Sequence, residues 1–319
     1  MHAAIYDQPG KPEVLYYTEV PDPVPGEGEI LIKVEAISIE GGDIGGRRSS
    51  PPAFAGQVGG YASSGEVIEL GPGVSSFKVG DKVSVFSWKG SHASLRVVPA
   101  SQSWLVPEGM DMKLATAALI GSGTAAQALF QGDLKAGETV LVLGAAGGVG
   151  VPTLQLASKI GARVLGTGSS AETLEELRNY GLTDPIVLND TPIAEQVKSL
   201  LNGEGVDVLI DTVGLANLQE VLPAVKDGGR VVILGAFESS QATLSTMYIL
   251  AHRLVIHGCL LGQALVDDGV YERMETALGQ AATGELKVPI DKVFPLSEAA
   301  AAHARAEERG RIGRVIMVP

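Results

Sequence analysis

Short apolar runs broken by turn residues fill the first hundred positions. Ile30-Leu31-Ile32-Lys33-Val34-Glu35-Ala36 predicts a strand, introduced by the turn-rich Pro21-Asp22-Pro23-Val24-Pro25-Gly26-Glu27-Gly28. Gly65-Glu66-Val67-Ile68-Glu69-Leu70 predicts a second, closed by Gly71-Pro72-Gly73, and Asp81 to Phe86 predicts a third. Strands of this length and spacing suggest a compact, barrel-like domain. Near residue 113 the period changes: Lys113 to Phe130 is Ala-rich, with Leu114, Ala118, Leu119 and Ala125 at helical spacing. Strands at 139–143, 163–167, 206–211 and 230–234 then alternate with helices at 148–160, 172–180, 192–202 and 215–226. This order implies an α/β fold, a doubly wound parallel sheet with helices on both faces. Val255 to Leu260 predicts a last strand at the sheet edge. Helices near 270–284 and 299–308 and a strand at 314–318 follow, and these are expected to return to the first domain. The expected division is 1–113, 114–257 and 258–319.

Composition narrows the classes. Hydrophobic residues make up 45% and charged residues 19%, as in an ordinary globular chain. The net charge of −13 repels phosphate backbones, so no nucleic-acid partner is expected. Cys259 is the only cysteine, which excludes an intrachain disulfide and a cysteine zinc cluster. The start Met1-His2-Ala3-Ala4-Ile5 has no charged n-region or long apolar stretch, and no membrane-length run occurs elsewhere. The expected location is the cytoplasm, with no membrane partner.

The most informative chemistry lies at Gly144-Ala145-Ala146-Gly147-Gly148-Val149-Gly150, directly after the apolar run Thr139 to Leu143. A strand that ends in a glycine-rich turn and feeds a helix is suited to a pyrophosphate, because backbone N–H groups point at the negative charge. Gly137-Glu138-Thr139-Val140-Leu141, three residues, Ala145-Ala146-Gly147-Gly148-Val149-Gly150, four residues, Gln155, two residues and Ser158 match a gap-free signature. On it the chain resembles the zinc-independent quinone oxidoreductase/ζ-crystallin family of the medium-chain dehydrogenase/reductase superfamily. Phe77 to Val83, Asp211-Thr212-Val213-Gly214 and Gly313-Arg314-Val315-Ile316 resemble further landmarks. The resemblance implies a Rossmann domain beside a GroES-like β-barrel catalytic domain, a homodimer paired through the edge strand near 255–260, and a small-molecule quinone or enone as substrate.

The end of the second Rossmann strand bears on the coenzyme. An NAD enzyme usually carries an acid there for the ribose 2′-OH. This chain has Ser169 and Ser170, and its first acid is Glu172 inside the next helix. Small hydroxyls accept a 2′-phosphate, so NADPH is expected; the same serines can also serve as helix N-caps. The Lys found in NADP-preferring members falls at Thr173, leaving Arg178 as the nearest cation. By resemblance the other cofactor contacts are Gly144, Ala146, Gly147, Gly148, Val149, Thr124, Val213, Gly214, Gly235, Ala236, Phe237, Leu260, Leu261 and Arg314.

Zinc-dependent relatives carry Gly-His-Glu-x-x-Gly-x5-Gly. The glycine frame persists as Gly60, Gly65 and Gly71, but Tyr61 and Ala62 stand at the His and Glu positions, and Glu40 stands where a Cys ligand is usual. One carboxylate cannot make a zinc site, so no metal is expected. Hydride addition to an already electrophilic acceptor, a quinone or a conjugated carbon–carbon double bond, fits better than alcohol oxidation. Tyr61 and Glu40 are the candidate catalytic residues. Tyr61 can hydrogen-bond the substrate oxygen or simply pack, and Glu40 can relay a proton or sit as a bonded carboxylate. Arg47 and Arg48, in an expected loop over 43–54, read as surface charges. The alternatives to quinone reduction are enoyl or alkenal reduction and a non-catalytic NADPH-binding protein.

Overall fold

The structure is a computed structural model that describes residues 1–235 and 241–319. The chain divides into two units: Met1–Ile120 with Met274–Glu308 and Gly313–Pro319, and Gly121–Arg273 with Arg309–Ile312.

In the first unit, a seven-stranded sheet runs Ile290–Pro295, Arg314–Val318, Glu29–Ser38, Ala62–Leu70, Lys82–Phe86, Ser103–Leu105, with the seventh strand, Leu95–Pro99, off that path on Glu29–Ser38. Glu29–Ser38 is buried at every position but Glu29, Lys33 and Glu35, and its register against Ala62–Leu70 shifts twice, between Leu31 and Ile32 and between Val34 and Ala36. Such bulges bend and twist a strand, which lets this one pair with Ala62–Leu70, Leu95–Pro99 and Arg314–Val318. Ile30, Ile32, Val67, Val83, Val98 and Met317 fill the barrel interior.

The glycine frame at 60, 65 and 71 has a packing explanation. A Cβ on Gly65 would strike the Lys33 carbonyl, and one on Gly71 would strike the Gly26 carbonyl. Gly60 lies over the His92 ring with φ +92°, a conformation that favours glycine. The frame is retained for backbone contact, whatever occupies the positions between.

The second unit is built on six parallel strands in the order Asp184–Val187, Arg163–Gly168, Thr139–Leu143, Val206–Asp211, Val225–Ile233, Val255–Gly258. Side chains alternate across the sheet. Val140, Val142, Val208, Ile210 and Val232 face one way, onto Leu154 and Ala157 of the helix Gly150–Ile160. Leu141, Leu143, Leu165, Leu209 and Val231 face the other, onto Ala194 and Val197 of Ile193–Leu200. Both faces are covered, as the near-continuous apolar runs require. Among the described residues no helix is long and apolar enough to cross a membrane.

Candidate active site

The central strand of the second unit delivers the chain to Gly144, whose φ of +72° turns it sharply. A Cβ there would meet Thr212 Oγ1 and Val213 Cγ2, each at 2.8 Å. The turn is fastened on several sides. Gly144 N donates to Thr167 Oγ1 at 3.1 Å, Ala145 N to the Thr167 carbonyl at 3.0 Å, and Thr212 Oγ1 to the Leu143 carbonyl at 2.7 Å. Gly150 opens the helix so close to the turn that a Cβ would collide with the carbonyls of Gly144 and Ala145. Gly147 N donates to the Gly144 carbonyl. The amides of Ala146, Gly148 and Val149 take no backbone acceptor among the described residues, and all three residues are partly open to solvent. Three unclaimed donors at one strand–helix turn fit a pyrophosphate, and a side chain on Gly150 would break their arrangement.

Val213, Gly214 and Gly235 gather beside this turn. Asp211, fully buried, organises them: its Oδ1 accepts from Val213 N and Gly214 N at 2.9 Å each, and its Oδ2 from Leu215 N at 3.2 Å. Nothing in the spacing singled Asp211 out; an acid at a strand end before a glycine turn is the signal that finds it. A Cβ on Gly235 would strike the Thr212 carbonyl, so these two strand ends touch through backbone. Gly235, Gly258, Cys259 and Leu260 line a cavity of about 430 Å³. Leu260 is exposed, whereas Leu261 is buried in the short helix that follows. Thr124 is buried in the helix Met112–Gln131. Ser169 is exposed, and Ser170 caps the next helix by accepting from Thr173 N at 3.2 Å. Ala236 and Phe237 lie outside the described residues.

Tyr61 and Glu40 belong to the first unit. Glu40 is 3% exposed, and Ser38 Oγ donates to its Oε1 at 2.8 Å while Arg314 Nη1 pairs with its Oε2 at 2.6 Å. It also caps the helix Gly41–Ser49, in a reciprocal box in which Glu40 N donates to Asp43 Oδ2 at 2.8 Å. Both carboxylate oxygens are therefore engaged. Arg314, named above among the cofactor contacts, is 6% exposed and serves as the partner of Glu40. Asp43 was not singled out from sequence. Burial pushes its carboxyl up to about 8, against the pull of the Glu40 N–H, and its Oδ1 finds no partner among the described residues. The Tyr61 ring rests on Gly42, where a Cβ would overlap it, and meets Phe86 and Trp88 edge-on at 6.1 and 5.4 Å. Burial, then the nearby Asp43, raises the Tyr61 hydroxyl. Among the described residues no three His, Cys, Asp or Glu side chains converge as a metal site.

Arg47 corrects the expected surface charge. It is 1% exposed, in a helix where a loop was expected, and it bonds the Gly10 carbonyl, His303 and Glu307. Arg48 is exposed as expected, paired with Glu307.

Residues 26–129 match the family described as alcohol dehydrogenase GroES-like domain, and residues 148–281 match the one described as zinc-binding dehydrogenase. The chain is 30% identical to a quinone oxidoreductase of Pseudomonas aeruginosa, over 97% of each chain. It is 30% identical to a 2-haloacrylate reductase of a Burkholderia species, over 99% of this chain and 98% of that one. It is also 30% identical to the synaptic vesicle membrane protein VAT-1 homolog of Rattus norvegicus, over 93% of this chain and 78% of that one. A quinone oxidoreductase of Escherichia coli, solved in complex with NADPH, superposes with a TM-score of 0.92 at 25% identity over the full length of both chains.

Proposed function

Because the chain belongs to the quinone oxidoreductase family of the medium-chain dehydrogenase/reductase superfamily, and is thus an oxidoreductase, we propose that it reduces quinones with NADPH. The observation that carries the reading is the set of unclaimed amides at Ala146, Gly148 and Val149, together with a strand end at Gly168 that is followed by serines and no acid. When bound, the reduced nicotinamide supplies the hydride. The chain does the rest. The three amides would hold the pyrophosphate, Val213 and Gly214 on the Asp211-organised turn would hold the ribose, and Gly235, Leu260 and Leu261 would hold the nicotinamide. Thr124 would serve on the phosphate side of the nicotinamide, and by resemblance Ala236 and Phe237, outside the described residues, would also contact the cofactor.

Charge develops on the acceptor oxygen as hydride arrives, and it needs a donor. In this reading the Tyr61 hydroxyl is that donor, and Glu40, fixed by Arg314 and Ser38, is a positioning residue for the segment that carries Asp43 and packs on Tyr61. No metal takes part: the side chains at the ligand positions are Tyr61, Ala62 and an already paired Glu40. Two copies pair through Val255–Gly258, which removes an open sheet edge.

The test is NADPH oxidation with quinones, enones, enals and 2-haloacrylates, each with and without a chelator. Quinone turnover indifferent to chelator is expected. Chelator-sensitive turnover would sink the metal-free reading. The 2-haloacrylate reductase relative favours carbon–carbon double-bond reduction as the second reading, and turnover of acrylates but not quinones would establish it. NADPH binding with no acceptor reduced would leave a non-catalytic binding protein.

A further inference from the structure

Arg96 is 1% exposed, on the strand Leu95–Pro99, and it makes no ion pair among the described residues. A guanidinium taken out of water needs compensation. Arg96 finds it in oxygens of two other segments. Nη1 donates to Ser63 Oγ at 2.9 Å. Nη2 donates to the carbonyls of Tyr61 at 2.8 Å, Lys89 at 2.9 Å and Ser87 at 3.2 Å. Nη2 has only two N–H groups, so the longest of the three bonds is shared. Nε has no partner among the described residues. Gly90, at φ +96°, turns the chain beside the same side chain, and a Cβ there would stand 3.5 Å from Nε. The backbone closes the arrangement: Ser87 N donates to the Tyr61 carbonyl at 3.1 Å, and Gly90 N to the Val58 carbonyl at 3.0 Å.

Two of the carbonyls that Arg96 collects, Ser87 and Lys89, flank Trp88, and the third belongs to Tyr61. Trp88 is 39% exposed, and its ring meets the Tyr61 ring at 5.4 Å and 89°. The buried Phe86 ring packs edge-on against both. Trp88 and Tyr61 thus form a right-angled corner, and each is partly open to solvent. A barrel core gains little from a guanidinium without a carboxylate, because an apolar side chain of similar volume often serves stability as well or better. The bonds of Arg96 go instead to the two segments that set this corner.

We propose that Arg96 is a positioning residue for the acceptor: through the carbonyls of Tyr61, Ser87 and Lys89 it fixes the Tyr61 hydroxyl relative to the Trp88 ring, against which the acceptor lies. The proposal rests on the reading above in which Tyr61 meets the acceptor oxygen. A planar fork reaches several carbonyls at once, and the ammonium of a lysine does not reproduce it. A flat acceptor laid on one wall of the corner turns its edge to the other, so an error in the angle costs both the ring contact and the hydrogen bond.

The experiment joins acrylamide quenching of tryptophan fluorescence, which needs no ligand, to NADPH oxidation by 1,4-benzoquinone and 1,4-naphthoquinone, both on the full chain. Trp104 is fully buried, so the quenchable emission belongs to Trp88, and Trp88→Leu is expected to remove it. Arg96→Met should raise the quenching constant by about twofold, as a released segment opens to water. In turnover, Trp88→Leu should raise the KM for naphthoquinone by about threefold to tenfold, the worth of one aromatic contact, and that for benzoquinone by less. Arg96→Met should reproduce that pattern and lower kcat as well, because Tyr61 moves too, while the KM for NADPH stays within about twofold. Arg96→Lys keeps the charge and loses the fork, so it should resemble Arg96→Met more than the wild type. Arg96→Met combined with Trp88→Leu should raise the naphthoquinone KM no further than Trp88→Leu alone, since both remove one contact. Unchanged quenching in Arg96→Met, full activity in Arg96→Lys, or single effects that simply multiply in the double variant would overturn the assignment. If Arg96→Met does not fold, Ser63→Ala, which frees Nη1 alone, should move quenching and KM in the same direction, and no movement there overturns it equally. A wild type that turned over neither quinone would refute the quinone reading instead, and quenching would then decide by itself whether Arg96 holds Trp88.

Discussion

Glu40 and Arg314, far apart in sequence, meet as a buried ion pair in which the guanidinium Nε and Nη2 have no hydrogen-bond partner among the described residues, which leaves little margin for change. Glu40→Gln strands a buried positive charge and is expected to cost about 3–5 kcal/mol. The double variant Glu40→Gln with Arg314→Met should lose clearly less, and urea unfolding of both reads the difference. The sequence marks Glu40 as an oddity but conceals its partner, because nothing local links position 40 to position 314. Arg47 is concealed for the same reason, since Gly10, His303 and Glu307 come from other segments. Its Nε can only donate, so His303 Nδ1 accepts, His303 Nε2–H points to His92 Nε2 at 3.0 Å, and His92 Nδ1–H is left for Ser91 Oγ at 3.4 Å and the Gly59 backbone. Both rings are neutral in this chain. Burial lowers His92 from 6.5 to about 4 and lowers His303 well below its ordinary value, helped by Arg96 near the first and by His92 and Arg47 near the second. A folded value below the unfolded one means the unfolded chain binds more protons in acid. The stability is therefore complete above about pH 6.5 and lost as pH falls toward 4. Urea midpoints from pH 7 to 4.5 should fall, and should fall less steeply in His303→Gln than in the wild type.

At the scale of elements, the strong periodic segments were legible. The strand Thr139–Leu143 and the helix Met112–Gln131 lie within a residue or two of expectation, because burial on both sheet faces or along a long helix leaves an unmistakable pattern. The helix expected over 215–226 shrinks to Leu218–Val221 and a 3-10 turn over Leu222–Ala224, where Pro223 withholds an N–H, and the strand begins at Val225. The helix Gly41–Ser49 was illegible: four glycines argue against a helix, and its stability comes from the Glu40–Asp43 cap and the buried Arg47. Its glycines are not equivalent. A Cβ on Gly45 meets nothing within 4 Å, so Gly45→Ala should stabilise by about 1 kcal/mol. A Cβ on Gly42 overlaps the Tyr61 ring, so Gly42→Ala should destabilise, and thermal melts of the two should move in opposite directions. In the same way Gly150→Ala, which crowds the carbonyls of Gly144 and Ala145, should abolish the rise in melting temperature that NADPH is expected to give the wild type.

The whole molecule is two independently cored units threaded by one chain, and the alternation of strand and helix signals made the larger pattern readable from sequence. What sequence could not supply was convergence: which distant segments share a turn, as Gly310 does with Thr173. The proposed dimer belongs at this scale. Val255, in the outer strand of the six, is 45% exposed. Val255→Lys should convert a dimer to a monomer in light scattering, with the fold retained by circular dichroism. The position of Arg314–Val318 has a further consequence. It lies between Ile290–Pro295 and Glu29–Ser38, in the interior of the first unit's sheet. On the ribosome, the barrel must wait with a gap in its wall until nearly everything downstream of Ser38 has been made, and the parallel sheet, emerging in between, is free to settle first. The enclosing unit is thus the late one, and a nascent chain stalled before position 314 would carry a finished nucleotide fold on an unsealed frame.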